Sequence, residues 1–174
     1  MTSQIQRIAD LNYIAGNYPV PDWDALGRQI GLIELEFNEI KEAYANRDTA
    51  KLRDGIADVH VTTGGLSYRL GVNGEEDLAL VVDCLYTRFD LDEESQKLTA
   101  KKYADLGVST YCHVANIIVN GETKTYYVTK VKETCVGTNG EKYPQHKWLK
   151  SVYTQEPGFE SPTVFSNLET IHGG

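Results

Sequence analysis

Four acidic residues in two neighbouring segments have the types and spacing best suited to chemistry. Glu36 and Glu39 are three residues apart in the segment IELEFNEIKEAY, and Asp54 and Asp58 are one helical turn apart in LRDGIADVHV. At 100° per residue, Glu36 falls within the apolar face of the first segment and Glu39 lies beside it. The spacing therefore predicts that both pairs of carboxylates point inward.

Inward carboxylates need compensation, because burying an ionised carboxylate is unfavourable unless the charge is paired. Mg²⁺ and Mn²⁺ take oxygen ligands, and carboxylates on facing helices converge on such ions. An alternative is that these acids pair with Lys or Arg, or stay partly hydrated, as most helix acids do. Two inward pairs joined by a short turn favour a metal site with Glu36, Glu39, Asp54 and Asp58 as ligands.

The two acidic pairs also resemble a known family signature. Glu36-Phe-Asn-Glu39 and Asp54-Gly-Ile-Ala-Asp58 are similar to the E-x-x-E and E-x-x-D motifs of the MazG and HisE all-α nucleoside triphosphate pyrophosphohydrolases, phage-type members in particular. The chain departs from the pattern at Leu35, where many relatives carry another acid. Three residues before Asp58, where the family motif has an acid, this chain has Gly55. Asp54 is therefore the candidate for that ligand.

The resemblance implies hydrolysis of a nucleoside triphosphate between the α- and β-phosphates, with release of monophosphate and pyrophosphate. One to three Mg²⁺ ions held by the four carboxylates would neutralise phosphate charge and lower the pKa of water. Glu36 and Glu39 are then the catalytic candidates, with Glu39 accepting the proton of the water. Phage-type members that act on GTP and dGTP make these the guessed substrates. The spacing alone indicates only a carboxylate-rich metal site.

Capping residues and apolar periodicity predict five helices. They are expected from Ser3 to about Gly16, from Asp22 to about Asn46, and over about 49–70, 75–87 and 93–106. After Gly107 the chain is rich in β-branched and aromatic residues, and Asn120-Gly121 predicts a hairpin turn. We therefore expect a mainly α fold. It is an antiparallel helical bundle of the all-α pyrophosphohydrolase type, with a helical core over 1–107 and, in the same domain, a β-hairpin appendage and irregular tail over 108–174.

Composition limits the partners and the location. The 174 residues, 41% of them apolar, fit one compact domain. A net charge of −8 and the lack of a basic cluster disfavour a nucleic-acid polymer as partner. The sequence has no run of membrane-spanning length and no signal-peptide pattern, and its three cysteines are widely spaced. We expect a cytoplasmic protein (host cytoplasm if viral) without a membrane partner.

Four further residues are candidates for substrate contacts. Tyr18 and Trp23, around the Pro-rich loop before the second helix, could stack on a nucleobase or simply cap the core. The resemblance implies a basic residue near the phosphates just after the fourth helix. Arg88 is the first choice and Lys102 the second, with solvated surface charge as the alternative for either.

A non-catalytic role and an oligomer are both compatible with this sequence. The same helices could form a metal-stabilised interaction module without turnover. The fourth helix, with the sequence DLALVVDCLY, is apolar on nearly every side and would expose a large apolar surface in a lone subunit. We therefore expect a homodimer or homotetramer, as the resemblance also implies.

Overall fold

The computed structural model describes residues 3–159 and is mainly helical, as predicted. Its elements are α1 Gln4–Ile14, α2 Trp23–Ala45, α3 Thr49–Leu70, α4 Gly74–Tyr86, α5 Glu93–Ala104, β1 Thr110–Val119, β2 Glu122–Val131, β3 Cys135–Val136 and β4 Lys142–Tyr143. Most of the predicted irregular tail lies outside the described residues. None of the described helices is both long and apolar enough to cross a membrane.

Local capping chemistry sets the helix ends. The Ser3 hydroxyl accepts a hydrogen bond from the Gln6 N–H at the start of α1, and Asp48 accepts from two backbone N–H groups at the start of α3. Gly71 ends α3 in the left-handed conformation, with φ of +79°. Because these signals are local, the predicted helix boundaries lie within two residues of the observed ones.

The chain divides into two compact units, and the division falls within α4. The described part of the first unit is 3–78 together with Phe159, and the second unit is 79–158. In the first unit α2 and α3 form the predicted antiparallel hairpin, and α1 packs on α3. In the second unit α5 packs on β1 and β2. The structure therefore groups α5 with the strands, whereas the sequence suggested grouping it with the helical core.

Strands β1 and β2 form the predicted hairpin. They pair antiparallel from Thr110 opposite Val131 to Val119 opposite Glu122. Asn120 and Gly121 have φ of +54° and +82°, and this left-handed pair makes the tight turn whose twist matches that of the strands. The short strands β3 and β4 form a second antiparallel pair.

Apolar burial differs between the two units. The second unit has a contiguous core of buried side chains, namely Tyr103, Val108, Val131, Tyr143 and Leu149. In the described first unit the buried apolar side chains are Leu26, Ala43 and Tyr68. Leu35 and Phe37 belong to the apolar face of the segment IELEFNEIKEAY, which helical periodicity assigns to the interior, but both are exposed in the single chain.

Candidate functional site: an acidic cluster on the helical hairpin

The α2–α3 hairpin determines where the four carboxylates lie. Its register is fixed by two contacts. The Gln29 side-chain amide donates to the Thr62 carbonyl at 2.9 Å, and Gly55 packs directly against Ile40. Because the helices are antiparallel, this register places the Glu36 turn of α2 opposite the Asp58 turn of α3. We call Glu36, Glu39, Asp54 and Asp58 the acidic cluster.

The electrostatics of Glu36 show that the acidic cluster is a unit. Its pKa is raised above the usual 4.5, first by partial desolvation and then by the negative charges of Asp58, Glu39 and Asp54. All three other members therefore lie close enough to Glu36 to disfavour its ionised form. The sequence prediction that these residues come together is consistent with this interaction.

No basic side chain neutralises the acidic cluster within residues 3–159. The two ion pairs in that part of the chain join Lys147 to Glu141 and Lys150 to Glu156. Glu39 and Asp54 are exposed and Glu36 and Asp58 are partly buried. Of the alternatives to a metal site, pairing with Lys or Arg is therefore not observed among residues 3–159, and the exposure of these side chains is compatible with partial hydration.

The donor atoms suit a hard divalent cation, since all four groups offer carboxylate oxygens. The described side chains are not, however, already gathered as a ligand shell: among residues 3–159, no three Asp, Glu, His or Cys side chains lie in such an arrangement. Convergence on one ion would require rotation of the cluster side chains.

The packing of α2 against α3 disfavours a side chain at position 55, where the family resemblance implies an acid and this chain has glycine. A Cβ at this position would lie 2.9 Å from Cγ1 of Ile40 and 3.6 Å from its backbone nitrogen. Contacts of 2.9 Å are closer than carbon atoms tolerate without displacement, so any side chain at this position would have to displace Ile40. The two helices approach closely at Gly55, and the nearest acid on α3 is Asp54, whose side chain is exposed.

Sequence reasoning missed basic residues of the first unit. Lys51 and Arg53 line an open depression of about 550 Å³ together with Asp54. The sequence could have indicated them, because Lys51 lies three residues and Arg53 one residue before Asp54. This places two positive charges at the edge of the acidic cluster.

Arg69 is a third basic residue of the first unit that sequence reasoning missed. It is partly buried, and it donates to the side-chain oxygens of Gln29 at 3.1 Å and of Asn17 at 2.6 Å. Within the described residues it has no carboxylate partner in an ion pair. Its position on α3, next to the buried Tyr68, could have indicated an inward-facing cation.

The four predicted substrate contacts are distributed over both units. Tyr18 and Trp23 are 70% and 83% exposed, so they do not cap the core and their rings are accessible. Arg88 and Lys102 belong to the second unit, whereas the acidic cluster belongs to the first. The Arg88 carbonyl accepts from the Ser151 N–H, and Lys102 lies over the Tyr103 ring at 5.2 Å.

The fold and this site define a mainly helical chain whose antiparallel helical hairpin carries an acidic cluster with no basic partner among residues 3–159. Comparison with known proteins finds no matching family model, no matching curated protein and no matching solved structure.

Proposed function

We propose that the chain is a metal-dependent nucleoside triphosphate pyrophosphohydrolase of the cytoplasm. The observation that supports this most is the electrostatic coupling of Glu36 to three other carboxylates without a basic partner in the described residues. A cluster of this kind is unfavourable by itself and becomes favourable when a divalent cation binds. Perturbed carboxylates also concentrate at functional sites.

Each member of the acidic cluster has a proposed role. Glu36, Glu39, Asp54 and Asp58 would hold Mg²⁺ or Mn²⁺, which would supply charge neutralisation at the phosphates and activation of water. Glu39 is exposed and carries the role of general base, taking the proton of the water that attacks the α-phosphorus. The leaving group is pyrophosphate and the other product is the nucleoside monophosphate.

The substrate contacts extend from this cluster. Lys51 and Arg53 lie at its edge and would attract the polyphosphate chain. The accessible rings of Tyr18 and Trp23 would stack on the base. Arg88 and Lys102 remain proposed phosphate contacts, and GTP or dGTP is the proposed substrate, by resemblance to phage-type MazG enzymes.

The proposed assembly is a homodimer or homotetramer. Helices α2 and α4 expose many large apolar side chains: Ile30, Leu32, Leu35, Phe37, Leu78, Leu80 and Val82. Apolar surface on this scale is uncommon in monomers and typical of subunit interfaces. A second subunit that covers α2 would also exclude water from the neighbouring acidic cluster.

A non-catalytic, metal-stabilised interaction module is the second candidate. Gly55 favours it, because it removes a carboxylate that catalysis in the resembled family uses. In that case the metal would stabilise the hairpin and the exposed apolar surface would bind a partner, without turnover.

One experiment separates the two candidates. Purified full-length protein is incubated with MgCl₂ or MnCl₂ and each of the eight common nucleoside triphosphates, and pyrophosphate and monophosphate are quantified. We expect equal amounts of both products, with GTP or dGTP preferred, and no turnover in EDTA. Thermal stabilisation by metal with no product from any nucleotide would reject the enzyme and support the module. Release of inorganic phosphate instead of pyrophosphate would reject the assigned bond cleavage.

A further inference from the structure

The second unit contains a pocket that the proposed hydrolysis does not use. Its volume is about 660 Å³, and it is open to solvent on one side. Its wall includes Tyr86, Phe89, Tyr126 and Tyr153, and its polar side chains include Asp90 and Ser151. Four aromatic rings and a carboxylate in one concave site are the features of a binding pocket for a small molecule. We call it the Asp90 pocket.

Asp90 is fixed in place by its surroundings. It is 3% exposed, and its backbone N–H and carbonyl form both hydrogen bonds of a bridge with Tyr127, at 3.1 and 2.8 Å. Its Oδ1 accepts hydrogen bonds from the hydroxyls of Thr99 at 3.0 Å and Ser151 at 2.5 Å. Both hydroxyl groups are themselves buried, so the carboxylate is held in one orientation.

The second oxygen of Asp90 is available. Oδ2 accepts no hydrogen bond from any residue in 3–159. It is not fully buried either, so it keeps some contact with solvent. Asp90 lines the pocket, so its remaining accessible surface opens there. Asp90 also has no basic partner among residues 3–159, and a buried carboxylate with half of its acceptor capacity unused is costly unless a donor reaches it.

The aromatic wall is also organised in advance. Tyr126 contacts both Tyr86 and Phe89, with ring centroids 6.0 Å apart in each pair. Trp148 stacks on Phe89 at 5.2 Å and supports it. Such ring contacts are individually favourable and hold the aromatic faces in position.

The charge and the rings together define the ligand class. Asp90 and Asp92 line the pocket with a single basic residue, Lys124. Aromatic faces attract cations, and a carboxylate prefers a charged N–H donor over a neutral one. We propose that the Asp90 pocket binds a small organic cation with N–H donors, such as an amidinium, guanidinium or primary ammonium group. An anion would be repelled by Asp90, and a neutral ring would leave its charge uncompensated.

Benzamidine and benzamide provide a matched pair of probes, because they share a ring and a planar head group but differ in charge. Titration of the full chain is followed by calorimetry and by amide chemical shifts. We expect benzamidine to bind roughly tenfold or more tightly than benzamide, as a charge-assisted hydrogen bond and a cation–π contact together predict. The shifts should concentrate in residues 86–95, 124–126 and 151–155.

Two variants test the pocket residues. Asp90→Asn keeps an oxygen for Thr99 and Ser151 but removes the charge, and it should weaken benzamidine binding by about tenfold. Tyr153→Ala removes a ring that is 62% exposed, so the fold should tolerate it while binding weakens. Asp105→Asn and Tyr44→Ala change an exposed acid and an exposed ring that do not line the pocket, and they should bind as the wild type does.

The proposal is overturned by equal affinities for benzamidine and benzamide, or by unchanged binding in a folded Asp90→Asn protein. If Asp90→Asn does not fold, unchanged binding in Tyr153→Ala overturns it equally well. Saturable binding of guanosine in place of benzamidine would reject the cationic class. None of these outcomes depends on nucleotide hydrolysis, so the acidic cluster is tested separately.

Discussion

The two units of this chain bury their side chains and balance their charges in different ways. The second unit has a contiguous apolar core, whereas the described first unit buries three apolar side chains, and both units also expose large apolar side chains. In the second unit the acids Glu141 and Glu156 pair with lysines. In the first unit the acidic cluster has no such partner among residues 3–159.

This difference indicates which unit depends on something outside itself. The contiguous apolar core stabilises the second unit from within, although its buried Asp90 has no basic partner among residues 3–159. A helical hairpin with exposed apolar residues and clustered acids is stabilised by whatever covers the apolar side chains and neutralises the acids. We expect metal and a second subunit to stabilise the first unit. The first, second and fourth predictions below test that contrast, and the third tests the helix packing within the first unit.

The largest expected effect is on activity. Glu36→Gln and Asp58→Asn should each lower pyrophosphate release by more than about 100-fold, since losing even an outer-shell partner of a metal site costs 10- to 100-fold. Neither variant should lose helical circular dichroism, because the amides relieve repulsion within the acidic cluster. Asp54→Asn measured in parallel tests whether Asp54 replaces the missing acid.

Glu34→Gln is the matched control for these variants. Glu34 is an exposed acid on the same helix, on the face opposite the acidic cluster, and its loss should leave activity within a factor of about two. Wild-type turnover in Glu36→Gln or Asp58→Asn would remove the acidic cluster from the mechanism. Full activity in Asp54→Asn would show that the fourth metal ligand is a group other than Asp54, and it would leave the other three assignments unchanged.

The second prediction compares a core leucine with an exposed one. Leu149 is buried in the second unit, and Leu149→Ala should reduce the free energy of unfolding by about 2–5 kcal/mol. Leu35 is 59% exposed in the single chain, so Leu35→Ala should matter only through the proposed subunit interface. Urea unfolding at two protein concentrations separates these effects.

Leu149→Ala should lower the free energy of unfolding by the same amount, relative to the wild type, at both protein concentrations. For Leu35→Ala the concentration dependence itself should change. If wild-type unfolding does not depend on concentration and light scattering gives a monomer mass, the exposed face of α2 is not a subunit interface.

The third prediction concerns helix packing in the first unit. Gly55→Ala would place a methyl group 2.9 Å from Ile40 and should destabilise the hairpin by about 1–3 kcal/mol. Gly27 lies on α2, where no atom of residues 3–159 beyond its chain neighbours and the local helix backbone would come within 4 Å of an added Cβ, so Gly27→Ala should stabilise the chain by about 0.5–1 kcal/mol through helix propensity. Thermal denaturation of both variants makes the comparison, and equal stabilisation would contradict a close approach at Gly55.

Local features were predictable from the sequence because local chemistry determines them. Asp48 and Gly71 bound α3 through a cap and a left-handed residue, and Asn120-Gly121 forms the hairpin turn that this pair favours. The proximity of the acidic cluster followed from helical periodicity and one short connection. These inferences need only neighbouring residues, so they require no knowledge of the tertiary fold.

Long-range placement was not predictable in the same way. The position of α5 on β1 and β2 depends on side chains that come from distant parts of the sequence, including Tyr103 and Leu149. Asp90 gave no sequence signal, because its partners Thr99 and Ser151 are 9 and 61 residues away and only the fold brings them together. The exposure of Leu35 was also missed, since periodicity identifies an apolar face but not what covers it.

The smallest expected effect is on the pH dependence of stability, where two acids should behave oppositely. The raised pKa of Glu36 means that the folded chain holds more protons than the unfolded chain, so its contribution to stability decreases as pH rises from 4.5 through the raised pKa. The hydrogen bonds from Lys147 and then Tyr143 lower the pKa of Glu141. Its stabilising contribution is therefore present above pH 4.5 and is lost as pH falls through the lowered pKa.

Replacing each acid with glutamine should expose this difference in metal-free thermal unfolding across pH 3 to 8. Glu36→Gln should gain stability relative to the wild type as pH rises above 4.5, and added Mg²⁺ should narrow the gap by stabilising the wild type. Glu141→Gln should lose stability relative to the wild type as pH rises from the lowered pKa of Glu141 to 4.5, and it should not respond to Mg²⁺. Glu34→Gln, an exposed acid on the same helix as Glu36, serves as the surface control. If Glu36→Gln and Glu141→Gln changed in the same direction, repulsion within the acidic cluster would not distinguish the two units.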